Sequence, residues 1–192
     1  MMLTNVRLSF PHLWTAHSYK PDQKKKFSAT FIIPKDRKEL ITEVRKAMLE
    51  AAKAKWGEKA EAQLKALKAQ NRLCLRDGAE KADMDGFGED VLFVGASNDK
   101  RPNVFDRDRA ALAEEDGRPY AGCWVNASIE LWAQDNEHGK RVNASLLGVQ
   151  FVKDDEPFGG GAAPATAEDF PALEDEAETA DAADDWDDDE PF

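Results

Sequence analysis

Trp124 and Trp132 are the residues whose type and spacing say most about chemistry. Across residues 123–132, Cys123, Val125, Ala127, Ile129 and Leu131 alternate onto one face, and Trp124, Asn126, Ser128, Glu130 and Trp132 onto the other. A period of two with one apolar side describes a half-buried strand. Its second face sets two indoles among polar side chains. Aromatic rings on a polar sheet face are what stacking of nucleobases requires, at about 1–3 kcal/mol per base. Burial of both indoles under a helix or loop would give the same string, and the residues leave both readings open. Phe10 and Trp14, in an irregular stretch around Pro11, are further candidates. Phe27 and Phe31 fall on the apolar side of their own strand and read as core.

Phosphate requires cations, and two clusters supply them. Lys24, Lys25 and Lys26 form one. Arg101, Arg107 and Arg109 form the other, in a loop where Asp99, Asp106 and Asp108 dilute the charge and could orient the arginines. A third feature is anionic. Residues 153–192 carry sixteen Asp or Glu and one Lys, and finish on Trp186, Asp187, Asp188, Asp189, Glu190, Pro191 and Phe192. Acidic runs usually only solvate. One that ends on an aromatic residue with its own carboxylate is expected to be captured by a pocket, ring in apolar surroundings and carboxylates on Lys or Arg.

Catalytic and metal chemistry find little support. His12, His17 and His138 offer no nucleophile-and-base arrangement. Asp83-Met84-Asp85-Gly86 hints at a calcium loop, but setting Gly86 at its sixth position places Lys81 first and Leu92 twelfth, and neither ligand position is met. Asp83, Asp85 and Asp90 could serve a metal-dependent nuclease only without any specific spacing. Gly159-Gly160-Gly161 lacks the Lys-Ser/Thr of a phosphate loop and reads as a linker. Cys74 and Cys123 have no metal or redox spacing and read as buried free thiols of a reducing compartment. No cofactor and no enzymatic activity are expected.

The elements that must position these residues are mostly strands. Residues 3–8 read as a strand that Pro11 interrupts, and residues 27–33 as a second, closed by Pro34. Asp36 and Glu39 have the spacing of a capping pair, opening a helix whose apolar face is Leu40, Ile41, Val44, Met48, Ala51 and Ala52 and which ends near Trp56-Gly57. A second helical stretch, with Ala60, Leu64 and Leu67, runs to about Gln70; its mixed charges suit a solvated surface better than a basic DNA-contacting helix. Four more strands are predicted over residues 72–75, 91–96, 123–132 and 142–152, the last two joined by a hairpin at residues 135–139. Five or six short strands with a helical insertion at about 36–70 predict a mainly β, α+β fold, an oligonucleotide-binding (OB-fold-like) barrel; a β-sandwich with a helical excursion is the alternative.

The formal charge of −12 is unevenly placed. Residues 1–152 carry 25 Lys or Arg against 22 Asp or Glu, so a mildly basic body of single-domain size is joined to a polyanion able to occupy its basic surface. Residues 153–192 lack periodicity and are expected to be a disordered tail with a partner-binding tip at 186–192; a flexible chain of that length spans about 35 Å root-mean-square. No run is apolar enough for a signal peptide or a membrane span, which predicts a cytoplasmic protein without a membrane partner.

With Asn5-Val6-Arg7-Leu8-Ser9-Phe10-Pro11, residues 27–34, Tyr120-Ala121-Gly122-Cys123-Trp124-Val125-Asn126-Ala127, Gly148-Val149-Gln150-Phe151-Val152 and the acidic ending in hand, the chain resembles phage-encoded single-stranded-DNA-binding proteins. The ending departs from the usual bacterial form in carrying Trp186 before the acids and Glu190 ahead of Pro191-Phe192. The resemblance implies a sequence-tolerant coat for single strands in phage replication or recombination, acting in the host cytoplasm. It also implies a tail that competes for the DNA groove and recruits replication or repair proteins. It leaves the oligomeric state open. The competing class is an acidic-tailed adaptor or DNA mimic without DNA affinity, which requires Trp124 and Trp132 to be buried and no basic, aromatic groove to exist.

Overall fold

In the computed structural model, the described residues are 1–18 and 20–159; the expected tail tip lies outside them. Seven strands form one sheet: β1 (Met2–His17), β2 (Lys26–Pro34), β3 (Leu75–Asp77), β4 (Val91–Asn98), β5 (Asn103–Phe105), β6 (Trp124–Asn136) and β7 (Gly139–Lys153). Their lateral order is β3-β4-β2-β1-β6-β7-β5. The helices α1 (Lys38–Trp56) and α2 (Ala60–Ala69) are inserted between β2 and β3.

The sheet curls until its two sides meet. Leu73 forms a parallel bridge to Val142, whose N–H donates to the Arg72 carbonyl at 3.1 Å, and the Asn98 amide donates to the Leu146 carbonyl at 3.0 Å. The expected barrel-like, mainly β architecture with a helical insertion is therefore present, with seven strands rather than five or six. Leu3, Leu8, Phe31, Val94, Val125, Ile129, Leu146 and Phe151 fill its interior. From α1, Leu40, Ile41, Val44 and Met48 join the same core. Cys74 and Cys123 are buried free thiols within it, and loss of solvent pushes both thiol pKa values up to about 12.

Three local expectations change. Pro11 interrupts pairing, as a register shift between Ser9 and His12 with Phe10 at φ 47, but the strand is longer than residues 3–8, and β1 continues to His17. The Asp36/Glu39 capping pair does not form; Arg37 occupies the cap position without a side-chain cap, and its guanidinium donates instead to the Thr4 and Asn5 carbonyls. β5 pairs in parallel with β7 inside what reads as a cationic loop, because three residues are too few to show a period.

Candidate nucleic-acid interface

Strand register decides which side chains share the outer surface of the sheet. Arg76 of β3 stands opposite Phe93 of β4, Phe93 opposite Ile32, Ile32 opposite Arg7, Arg7 opposite Trp124, and Trp124 opposite Lys153. Directly paired residues project to the same face, so one row crosses six strands, with cations and rings on either side of the buried Ile32 and Phe93. β1 makes the row continuous, because Arg7 pairs with both β2 and β6.

One part of this outer face is open. Between the seam of the barrel and the β6–β7 hairpin lies a cleft of about 270 Å³. Lys26, Arg72, Arg76 and Arg141 bring positive charge to it. Trp132 supplies an indole with 43% of its surface exposed, steadied by its N–H donating to the Ser145 hydroxyl at 3.0 Å. Gln134 and Asn143, hydrogen-bonded to each other at 3.1 Å, add amide groups. Arg72 and Arg141 make no salt bridge among the described residues, whereas Arg76 is paired with Glu80 and Lys26 lies 3.9 Å from Asp99. Rings and unneutralised guanidinium groups side by side suit a ligand with flat faces and anionic links.

The Trp124 part is covered. Residues 154–159, which the sequence assigns to the tail, run back over it as a strap. The Trp124 indole donates to Asp155 Oδ2 at 2.6 Å, and Arg7 stands 3.7 Å from the same oxygen. Arg7 also donates to the Gly122 and Glu156 carbonyls and lies 4.5 Å from the Phe158 ring centre. The Tyr120 hydroxyl donates to Asp154 at 2.9 Å and accepts from the Asp155 N–H. Burial is the main reason that its pKa is pushed up to about 12. The Glu156 N–H, then the Trp124 indole, hold the Asp155 carboxyl below the usual carboxylate range. Two glycines make room for the strap. A Cβ on Gly122, at φ 105, would lie 2.3 Å from the Glu156 carbonyl oxygen. One on Gly86, at φ 79, would lie 2.3 Å from the Phe158 ring.

Between these parts, Lys81 is set among three rings, 4.5 Å from the centre of Phe10 and 5.2 Å from those of Phe87 and Phe93. Burial, and then the charge of Arg76, lower its pKa.

The structure therefore distributes the sequence candidates. Trp132 and Lys26 reach the open cleft. Trp124 lies beneath the strap, and Phe10 beside Lys81. Trp14 is half-buried against the core with Arg101 4.9 Å from its ring centre. Lys24 is paired with Asp99 at 2.8 Å, and Lys25 is exposed beside it. Arg107 and Arg109 are exposed on the loop after β5, Arg109 at φ 72. These cations and rings do not converge on one spot. Sequence reading omitted Arg7, Arg72, Arg76, Lys81, Phe87, Phe93 and Arg141. Strand pairing brings Arg7, Arg76, Phe93 and Arg141 to this face, the bridge at Leu73 brings Arg72, and the connection between β3 and β4 supplies Lys81 and Phe87; Arg141 could have been found by folding the 135–139 hairpin back onto Gln134. Trp186, Asp187, Asp188, Asp189, Glu190, Pro191 and Phe192 lie outside the described residues.

The family model described as the ssDNA-binding protein of Enterobacter phage Enc34 matches residues 1–183. The chain is 42% identical over 173 residues to putative protein p50 of Acyrthosiphon pisum secondary endosymbiont phage 1, covering 89% of this chain and 92% of that one. Its structure is similar to the single-stranded DNA-binding protein from bacteriophage Enc34 in complex with ssDNA. That match has a TM-score of 0.71 and 33% identity, over 82% of this chain and 88% of that chain. It also shares a fold with gp2.5, a single-stranded DNA binding protein encoded by bacteriophage T7. There the TM-score is 0.50 and the identity 14%, over 81% and 92% of the two chains.

Proposed function

The chain belongs to the family of the Enterobacter phage Enc34 ssDNA-binding protein, and from that premise we propose that it binds and coats single-stranded DNA without strong sequence preference, in phage replication or recombination. The observation that carries this reading is the open cleft, where Trp132 stands exposed beside Lys26, Arg72, Arg76 and Arg141. A base stacks on the indole, and the flanking phosphates pair with the guanidinium groups, Arg being suited to bidentate contact. The lining holds no constellation that would read one base edge over another, so affinity comes from rings and charge. The adaptor alternative requires both tryptophans to be buried, and the exposure of Trp132 argues against it.

The acidic segment takes two roles in this proposal. Its carboxylates compete with phosphate for the basic face, and residues 186–192 recruit replication or repair proteins. Support for the competition comes from the strap, in which Asp155 already occupies Arg7 and the Trp124 indole.

Tryptophan fluorescence titration of the full chain with oligo-dT and with matched duplex, at two salt concentrations, tests the binding. Salt-sensitive quenching by oligo-dT, weaker for duplex and diminished in Trp132→Ala, is the expected result. No response to oligo-dT would overturn it. Each phosphate contact contributes about 0.7 to the slope of log affinity against log salt for single strands. Three or four contacts in the cleft give a slope of about −2 to −3.

A further inference from the structure

The helical insertion carries a groove of its own. It lies between α1, α2 and β3 and has a volume of about 870 Å³, against about 270 Å³ for the Trp132 cleft. Its floor is aliphatic: Ile41, Met48, Leu64, Leu73, Leu75 and Leu92. Six cations stand around it, Lys35, Lys38, Arg45, Lys65, Lys68 and Arg76, against the two carboxylates of Asp77 and Glu80. Those carboxylates are engaged with Lys35 and Arg76, and Lys38, Arg45, Lys65 and Lys68 make no salt bridge among the described residues. Among the described residues, none that lines the groove is aromatic. That distinguishes it from the Trp132 cleft, because a nucleic-acid strand draws its stacking from rings. An aliphatic floor under a basic rim suits the converse ligand, a peptide that brings its own rings and negative charge.

This chain contains such a peptide. Residues 184–192 hold six Asp or Glu, with Trp186 and Phe192 as the large apolar side chains. We propose that this segment docks in the α1–α2–β3 groove of its own chain, with the two rings on the aliphatic floor and the carboxylates on the Lys and Arg rim. The geometry of departure favours it. The strap ends where the Gly159 N–H donates to Asp85 at 2.8 Å, on the connection from β3 to β4 that also supplies Glu80 to the groove. About 27 residues separate Gly159 from Trp186, and a chain of that length can reach up to about 90 Å. Tethering at short range also raises the local concentration of the peptide to the order of millimolar.

The site differs from the DNA face yet is joined to it. Asn71, Leu73 and Arg76 line both cavities. A phosphate drawn to Arg76 from the cleft side takes charge away from the carboxylates on the groove side, so DNA and the docked segment oppose each other, reciprocally in affinity. Docking stands without the DNA reading; only this antagonism rests on it.

The test is a backbone amide spectrum of the ¹⁵N-labelled full chain, compared with its Trp186→Ala/Phe192→Ala variant. Shift differences at Thr42, Leu64 and Lys68, absent at Trp132 and Asn143, are expected. A Lys65→Glu/Lys68→Glu variant should respond to the tail substitutions several-fold less. Differences centred on the Trp132 cleft would overturn the proposal, as would none at all. Differences that vanish on dilution would also overturn it, because the segment would then come from a second copy. Oligo-dT added to the unmodified chain should move the groove amides toward their positions in the tail variant. If oligo-dT binds and leaves them unmoved, the antagonism falls. If oligo-dT does not bind, the DNA reading falls and the groove result stands.

Discussion

Trp124 and Trp132 project from the same face of one strand, yet the first is hydrogen-bonded to a carboxylate beneath a strap and the second is 43% exposed. Both have cationic neighbours. Around Trp132 they include Arg72 and Arg141, which are unneutralised among the described residues. Around Trp124 they are Arg7, already facing Asp155, and Lys153, 5.1 Å from the ring centre. The difference lies in what crosses over the sheet, because the strand presents both rings identically. One region is ready for a polyanion, and the other is filled by the beginning of the protein's own.

The largest effect that would break this comparison is charge reversal in the open cleft. Arg72→Glu with Arg141→Glu should lower oligo-dT affinity by about 100-fold or more at low salt. The corresponding double alanine variant should flatten the salt slope by about 1.4. Fluorescence titration of each variant over a salt series reads both numbers. Next is the pair of tryptophans themselves. Trp132→Ala should cost about 1–3 kcal/mol of oligo-dT affinity, roughly 5- to 150-fold. Trp124→Ala, with its ring under the strap, should cost less than about 3-fold; equal losses would erase the distinction between the two regions.

The comparison sharpens if the covered region can be opened. Gly122→Ala places a methyl where the Glu156 carbonyl now sits and should displace the strap. Trp124 emission should then shift to the red, readable with Trp14, Trp56, Trp132 and Trp186 replaced by Phe, and the oligo-dT affinity of the otherwise unmodified chain should rise by about 3-fold. The smallest effect is that of pH. The Asp155 carboxyl is held below its ordinary value of about 3.9. Its contribution is therefore complete above that value and is lost as pH falls from about 4 toward the lowered folded value. Trp124 emission should follow this loss, and Asp155→Asn should remove the dependence.

Much of the frame was legible in the sequence because it rests on local periodicity. Alternation through residues 123–132 separated Val125 and Ile129 from Trp124 and Trp132, and helical spacing placed Leu40, Ile41, Val44 and Met48 on one face. The site was less legible because it is assembled by pairing between distant strands. Nothing near Arg7 announces that it stands opposite Trp124, and nothing near Arg72 that it approaches Val142. Composition also misled: Asp154, Asp155 and Glu156 read as the start of a solvated tail, although their hydrogen bonds to Tyr120, Trp124 and Arg7 tie them to the body. A run of carboxylates looks the same in sequence whether water or an indole solvates it.

The double pairing of β1 bears on how the protein is made. Val6 cannot find Val125 until about 120 further residues have been synthesised, which at 5–20 residues per second takes about 6–24 s. By the end of that interval β1 to β5 and both helices have been synthesised, and their apolar faces still lack much of the interior they will share. β6 and β7 emerge later and complete it, and the strap comes after them. Birth order thus gives every new molecule a moment with its barrel closed and its Trp124 face still bare.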